Sequence, residues 1–238
     1  WSVFTEPSPR ARPRAEKDRS SSASGGGELT PNANGRLLHI IRSFSDIIAG
    51  QFYGHRHADT FRLIYSEGNP LSWALLAPSL TPRGAGGISN PGLRLYKFES
   101  NTGKVLDYTQ YYLDVNTRGE AHWAIEYNVT QYYGLREVSA VSLDNLAEKI
   151  RNYHDRGKKI LANHFILTRY LTALKVRHTT DVSDCDATCV HVHFCAITRA
   201  DFHEFRSCVS NPASALASQA PHHSAAILLY AILFLISS

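Results

Sequence analysis

The residues of this chain whose types and spacing could do chemistry lie together in Gly54-His55-Arg56-His57-Ala58-Asp59. In an extended segment, residues i and i+2 point to the same side. His55 and His57 are therefore expected to face one metal centre together, or two metals about 3.5–4 Å apart. Gly54 would let the backbone approach that centre with no side chain in the way. A His-x-His pair by itself carries little weight, because the chain has 12 histidines and holds a second such pair, His191-Val192-His193, which reads as incidental. Surface histidines beside a turn are the plain alternative for His55 and His57.

The residues around the first pair carry more. "IAGQFYGHRHADTFRLIY" at 48–65 is followed in order by "NPGLRLYKF" at 90–98, "LDYTQYYLDV" at 106–115, "WAIEYNVTQYYGL" at 123–135 and four cysteines from Cys185 to Cys208. Together they resemble the acid sphingomyelinase-like phosphodiesterases of the calcineurin-like metallophosphoesterase superfamily, over a span from about Arg36 to Ser210. In that family a strand delivers Gly-His-x-His, the last metal-binding motif, to the metal edge of a sheet. The resemblance implies that His55 binds one zinc and His57 a second, each through a neutral ring nitrogen, with Asp59 orienting one of them from behind. Two metals so held clamp a phosphoryl oxygen and acidify a bridging water for in-line attack at phosphorus.

The family draws its remaining ligands from Asp-x-His, Gly-Asp, Gly-Asn-His and a further His motif upstream. None of these is present here; Gly50-Gln51 and Asn34-Gly35 do not substitute. The chain thus resembles only the C-terminal part of such an enzyme. The parent is expected to be a zinc-dependent phosphodiesterase acting on a small-molecule phosphodiester, nucleotide or phospholipid substrate, and the isolated chain is expected to be inactive. The rival reading is a non-catalytic, disulfide-stapled surface module that binds a partner.

The elements that must position these residues follow from pattern. Leu37, Ile40, Ile41 and Phe44 keep helical spacing, giving a helix over 36–45 and then a buried strand over 47–52 that leads into the motif. Phe61–Tyr65, Ser72–Ala77, Leu93–Phe98 and Val105–Val115 read as strands divided by well-marked turns, a mostly antiparallel sheet forming half of a sandwich. The Gly-rich 83–87 is a loop, since no Gly-Lys-Ser/Thr follows it. Trp123, Tyr127, Thr130 and Tyr133 suggest a helix stopped by Gly134. Ser142 is a candidate N-cap for a helix through Leu143, Leu146, Ile150 and Tyr153, closed near Gly157. Another helix runs from Ile160 to Leu174, with His164 read as a hydrogen-bonded core histidine.

The fold class expected is α+β: the end of a metallophosphoesterase β-sandwich over 36–120, then a small helical, disulfide-stapled domain over 121–210. Residues 1–35, rich in Pro, Arg, Ser and Gly, cannot offset the entropy of ordering and read as disordered. With no Met, even at position 1, the chain reads as an incomplete product without a visible signal peptide. The net charge of +4 is spread out, which argues against a nucleic-acid polymer as partner.

The four cysteines, clustered and even in number, fit disulfides in an oxidising compartment. A zinc site using Cys185, Cys189 and His191 or His193 is the competing reading. Spacing leaves three pairings open; the family resemblance implies Cys185–Cys189 and Cys195–Cys208. Asn128-Val129-Thr130 is an N-glycosylation sequon. After a spacer, Ala225–Ile236 is apolar but too short to span a bilayer, which needs about 20 residues. With Ala213-Ser214-Ala215 before it, 211–238 matches a GPI-attachment signal. One branch of the resembled family is anchored in this way, so the expected location is extracellular, secreted or held at the membrane surface.

Overall fold

The computed structural model describes residues 29–82, 88–117, 119–153, 159–177 and 185–211. The glycine loop 83–87, Gly157, most of the N-terminal segment and the 212–238 tail lie outside the described residues.

The first element among the described residues is helix α1, Pro31–Ser43, which begins five residues before the expected start. Thr30 is the N-cap, its hydroxyl accepting from Ala33 N–H at 3.3 Å, and Pro31 occupies the first helical position. Residues 31–35 are therefore helical rather than disordered. Asn34 explains why the helix starts early: its amide donates to Ala200 O (3.1 Å) and its Oδ1 accepts from Phe202 N–H (3.3 Å). The segment 44–47 is a turn, not strand, and Ile47 is 74% exposed.

Strands β1 (Gln51–Tyr53), β2 (Thr60–Ser66) and β3 (Asn69–Leu76) form one sheet in the order β1-β3-β2. β3 pairs antiparallel with β2 and parallel with β1, which is shorter than the strand expected over 47–52. Glu67 and Gly68 join β2 to β3 with φ of 50° and 82°, the left-handed pair a tight hairpin needs to match strand twist. Gly50 precedes β1 where a Cβ would lie 2.2 Å from Trp73 Cη2, so only glycine lets the backbone pass the indole.

β4 (Gly92–Phe98), β5 (Val105–Leu113) and β6 (Trp123–Asn128) form a second, antiparallel sheet. Here 123–128 is strand where helical spacing was expected. The β5–β6 register shifts between Gln110 and Tyr111, leaving Glu126 as the extra residue of a bulge. That bulge interrupts the period-2 pattern and makes Trp123, Tyr127 and Thr130 mimic a helix. The helix that does form, α2, is Val129–Tyr133, capped by Gly134 in the left-handed conformation as expected.

The helical part continues with α3 (Ala140–Arg151), α4 (Lys159–Leu174), α5 (Ala187–Thr198) and α6 (Phe202–Ser210). Ser139, not Ser142, caps α3: its hydroxyl accepts from Ser142 N–H at 3.2 Å. α4 turns Ile166, Leu167, Tyr170, Leu171, Ala173 and Leu174 inward and leaves His164 exposed, so His164 is not a core histidine. One hydrophobic cluster spans both sheets and the helices, from Phe61, Leu63, Trp73 and Leu75 through Tyr108 and Tyr127 to Leu143, Ile150, Leu171 and Phe194. The architecture is α+β, as expected. Among the described residues no helix is long and apolar enough to cross a membrane.

Candidate functional site

β1 ends at Tyr53 and β2 begins at Thr60, so the Gly54–Asp59 loop joins the first sheet's edge to its other outer strand. The loop is not extended. His55 and His57 sit at φ of 70° and 53°, in the left-handed region that costs an L residue roughly 1–2 kcal/mol. Arg56 N–H closes a tight turn onto Gly54 O at 2.8 Å. His55 is exposed and His57 half-buried. The expectation that a straight backbone aligns the two imidazoles thus gives way to a coiled loop in which backbone strain places them. Strain of this kind persists only where the surroundings over-determine it. Among the described residues, no third histidine, cysteine or carboxylate gathers with this pair into a metal-sized cluster.

The anchor of the loop is Asp59, 4% exposed. Its Oδ1 lies 2.5 Å from Nη2 of Arg94 on β4, and its Oδ2 accepts from the Tyr127 hydroxyl on β6 at 2.5 Å. The carboxylate therefore ties the loop to two strands of the second sheet. Arg94 is held in turn: Nε donates to Gln110 Oε1 at 2.9 Å, Nη1 donates to Leu76 O at 3.4 Å, and the guanidinium lies 4.0 Å over the Tyr108 ring. The hydroxyls of Tyr108 and Tyr127 share a 3.1 Å hydrogen bond. Burial, with the Asp59 charge beside it, pushes the Tyr127 phenol well above the usual range; burial does the same to Tyr133 and Tyr108.

The sequence reading took Tyr127 only as part of a helical spacing and did not single out Arg94 or Tyr108. It also missed Glu126, whose carboxyl is pushed up to about 9, by burial first and by Asp59 second. Neither Glu126 oxygen has a hydrogen-bond partner among the described residues. The one signal for Arg94 was its alternation between Leu93 and Leu95, and the structure inverts that pattern by turning the leucines outward and the arginine inward.

The cysteines form Cys185–Cys189 and Cys195–Cys208, the pairing the resemblance implied, and none of the four is free. Their sulfurs are thus unavailable as thiolates for the zinc site weighed against them. The second His-x-His lies on α5, with His191 8% and His193 5% exposed. His191 Nε2–H donates to Cys208 O at 2.8 Å, while His193 Nδ1 shares a 3.2 Å hydrogen bond with the Tyr170 hydroxyl. Asn128 ends β6, and its amide donates to Thr109 Oγ1 at 2.7 Å. The Thr130 hydroxyl of the same sequon donates to Asp107 Oδ2 at 3.0 Å.

Residues 69–215 match the family model described as the acid sphingomyelin phosphodiesterase C-terminal region. Cyclic GMP-AMP phosphodiesterase SMPDL3A of Bos taurus is 34% identical over 182 residues, covering 74% of this chain and 38% of the relative. Acid sphingomyelinase-like phosphodiesterase 3b of Homo sapiens is 28% identical over 186 residues, 74% of this chain and 38% of the relative. Sphingomyelinase phosphodiesterase C of Dictyostelium discoideum is 30% identical over 190 residues, 74% of this chain and 40% of the relative. The chain thus spans about two fifths of the length of the relatives it matches. On the family model and these relatives, the chain belongs to the acid sphingomyelinase-like phosphodiesterases, as their C-terminal portion.

Proposed function

We propose that this chain is the C-terminal part of a metal-dependent phosphodiesterase and supplies two of the ligands of a di-zinc centre. The observation that carries the reading is the coiled Gly54–Asp59 loop, which presents His55 and His57 at the edge of a sheet and is anchored behind by a buried carboxylate. In this reading His55 takes one zinc and His57 the other, and the bound metals supply Lewis acidity and an activated water. Asp59 keeps the loop in shape by gripping Arg94 and Tyr127. Residues 36–120 are the end of the catalytic domain and 121–210 its helical C-terminal domain. Two imidazoles fit one end of such a centre and do not complete it, so the chain alone is inactive.

The substrate is a phosphodiester of the nucleotide or sphingomyelin kind, the two classes that the names of the relatives carry. The disulfides suit an extracellular setting. A GPI anchor through 211–238 and a glycan at Asn128 belong to the same proposal. Glycan attachment would compete with the bond from Asn128 to Thr109.

The test is to sequence the transcript upstream of the codon for Arg36 and then assay the extended protein with zinc. In-frame Asp-x-His, Gly-Asp and Gly-Asn-His, with hydrolysis abolished by His55→Ala or His57→Ala, support the reading. Zinc-dependent hydrolysis by the 238 residues alone overturns the inactivity. A start codon joined directly to residue 1 favours the second reading, a non-catalytic surface module. That alternative draws on the lack of a third ligand beside the pair among the described residues.

A further inference from the structure

His193 and the Cys185–Cys189 bridge form a second constellation that the phosphodiesterase reading does not use. The ligand atoms of Cys185, Cys189 and His193 all lie within 4.8 Å of one another. Cys189 and His193 are one turn apart on α5, on the same face, and Cys185 stands just before the Asp186 N-cap. A tetrahedral zinc with bonds of about 2.3 Å to sulfur and about 2.0–2.1 Å to nitrogen needs ligand atoms roughly 3.5–3.8 Å apart. Side-chain rotation of about an ångström reaches that spacing once the two sulfurs part.

We propose that the Cys185–Cys189 disulfide masks a metal site. When a dithiol reductant converts the bridge to two thiols and is itself oxidised to a disulfide, Cys185, Cys189 and His193 bind one thiophilic divalent cation such as Zn²⁺ or Cd²⁺, releasing the two thiol protons.

Each ligand is prepared for this. Cys185 and Cys189 are both partly exposed residues, which gives reductant and metal a route to the bridge. Cys189 lies in the first turn of α5, where the helix dipole favours a thiolate. His193 is buried, and burial holds its imidazole in the neutral form that ligates metal, lowering its pKa to about 4. The Tyr170 hydroxyl grips Nδ1 and is itself hydrogen-bonded to Thr60 Oγ1 at 3.1 Å, the outer support a ligating histidine needs. A metal would take Nε2, the other ring nitrogen. Three protein ligands leave a fourth position for water, so the bound ion exchanges and a chelator removes it.

The other bridge gives an internal contrast. Cys195 is fully buried and its bond to Cys208 closes a 13-residue separation against 4 for Cys185–Cys189, so mild reduction spares it.

The test treats the full chain with a mild dithiol, removes the reductant under argon, and titrates Cd²⁺ while following the ultraviolet thiolate-to-cadmium band. The expected result is two alkylatable thiols, mapped to Cys185 and Cys189, and a band saturating at one cadmium per chain. His193→Gln weakens binding about tenfold or more, and Tyr170→Phe, which keeps the ring and the fold, weakens it about 10–100-fold. The double variant Cys185→Ser/Cys189→Ser binds none while keeping its far-ultraviolet dichroism. Three results overturn the proposal: no band, thiols mapped to Cys195 and Cys208 instead, or an affinity unmoved by both the His193 and Tyr170 variants.

Discussion

His55-Arg56-His57 and His191-Val192-His193 share one spacing and lead opposite lives. The first pair sits on a coiled loop, exposed or half-buried, with both residues in the left-handed region. The second sits on α5, where residues two apart point to different sides, and each buried ring finds its own partner, Cys208 O or the Tyr170 hydroxyl. The difference teaches that spacing is silent until the backbone is known. On the loop, left-handed backbone holds the two imidazoles at the edge of a sheet. On the helix, relaxed backbone lets the same residues be absorbed as polar core.

The sharpest way to break the comparison is to remove the loop's anchor. Asp59→Ala strands the Arg94 guanidinium without its counter-charge, a loss of about 3–5 kcal/mol expected for half of a buried pair. Urea unfolding measures it, and a loss below about 1 kcal/mol would show that the loop is held by something else. Next come the helical histidines. His193→Ala and His191→Ala each remove a buried ring and its hydrogen bond and should cost about 1–3 kcal/mol in the same experiment.

His193 also gives the pair a pH signature. Burial first, then the charges of Arg62 and Lys175, lower its pKa from the ordinary 6.5 to about 4. The unfolded chain therefore binds a proton at a higher pH than the native one does. This contribution to stability is complete above about pH 6.5 and drains away as pH falls towards 4. His193→Gln should flatten that slope in thermal melts. Glu126 has the opposite sign: its carboxyl is raised from 4.5 to about 9, so its burial weakens the fold progressively as pH rises through that window. Glu126→Gln should stabilise the protein at pH 8 and lose its advantage by pH 4. A variant no more stable than the parent at pH 8 would mean the carboxyl is solvated.

The smallest effect is the most telling in sign. His55→Gly and His57→Gly remove a left-handed penalty and should each stabilise the fold by about 1 kcal/mol, less the entropy glycine adds to the unfolded chain. The same change at His193 destabilises. Stabilisation at the loop together with loss of metal binding would identify both positions as functional strain.

Much of this was legible in the residues. The β4–β5 hairpin, the Gly134 stop and the α3 and α4 helices follow from pattern, and the disulfide pairing from the family likeness. What stayed hidden has local causes. Thr30-Pro31 is a sound helix start, but it sits at the end of a low-complexity stretch with few apolar side chains to mark a helix face. β6 carries a bulge at Glu126, and one inserted residue is enough to turn strand alternation into a helix-like rhythm. Arg94 faces inward because Asp59 waits there, a long-range partnership that outweighs the leucines on either side. In the candidate site the residue types were readable and the conformation was not: left-handed backbone at two histidines leaves no mark in composition.

The rings of Tyr96, Tyr108, Tyr127, Tyr132 and Tyr133 touch in sequence, with centroids 4.5–6.1 Å apart. This gives the core a built-in optical gauge. Burial raises every one of these phenols above its ordinary range, so their tyrosinate absorbance should arrive late on alkalinisation, that of the buried Tyr108, Tyr127 and Tyr133 only when the sheets part. Watching that colour would time the opening of the seam behind the histidine loop without any label.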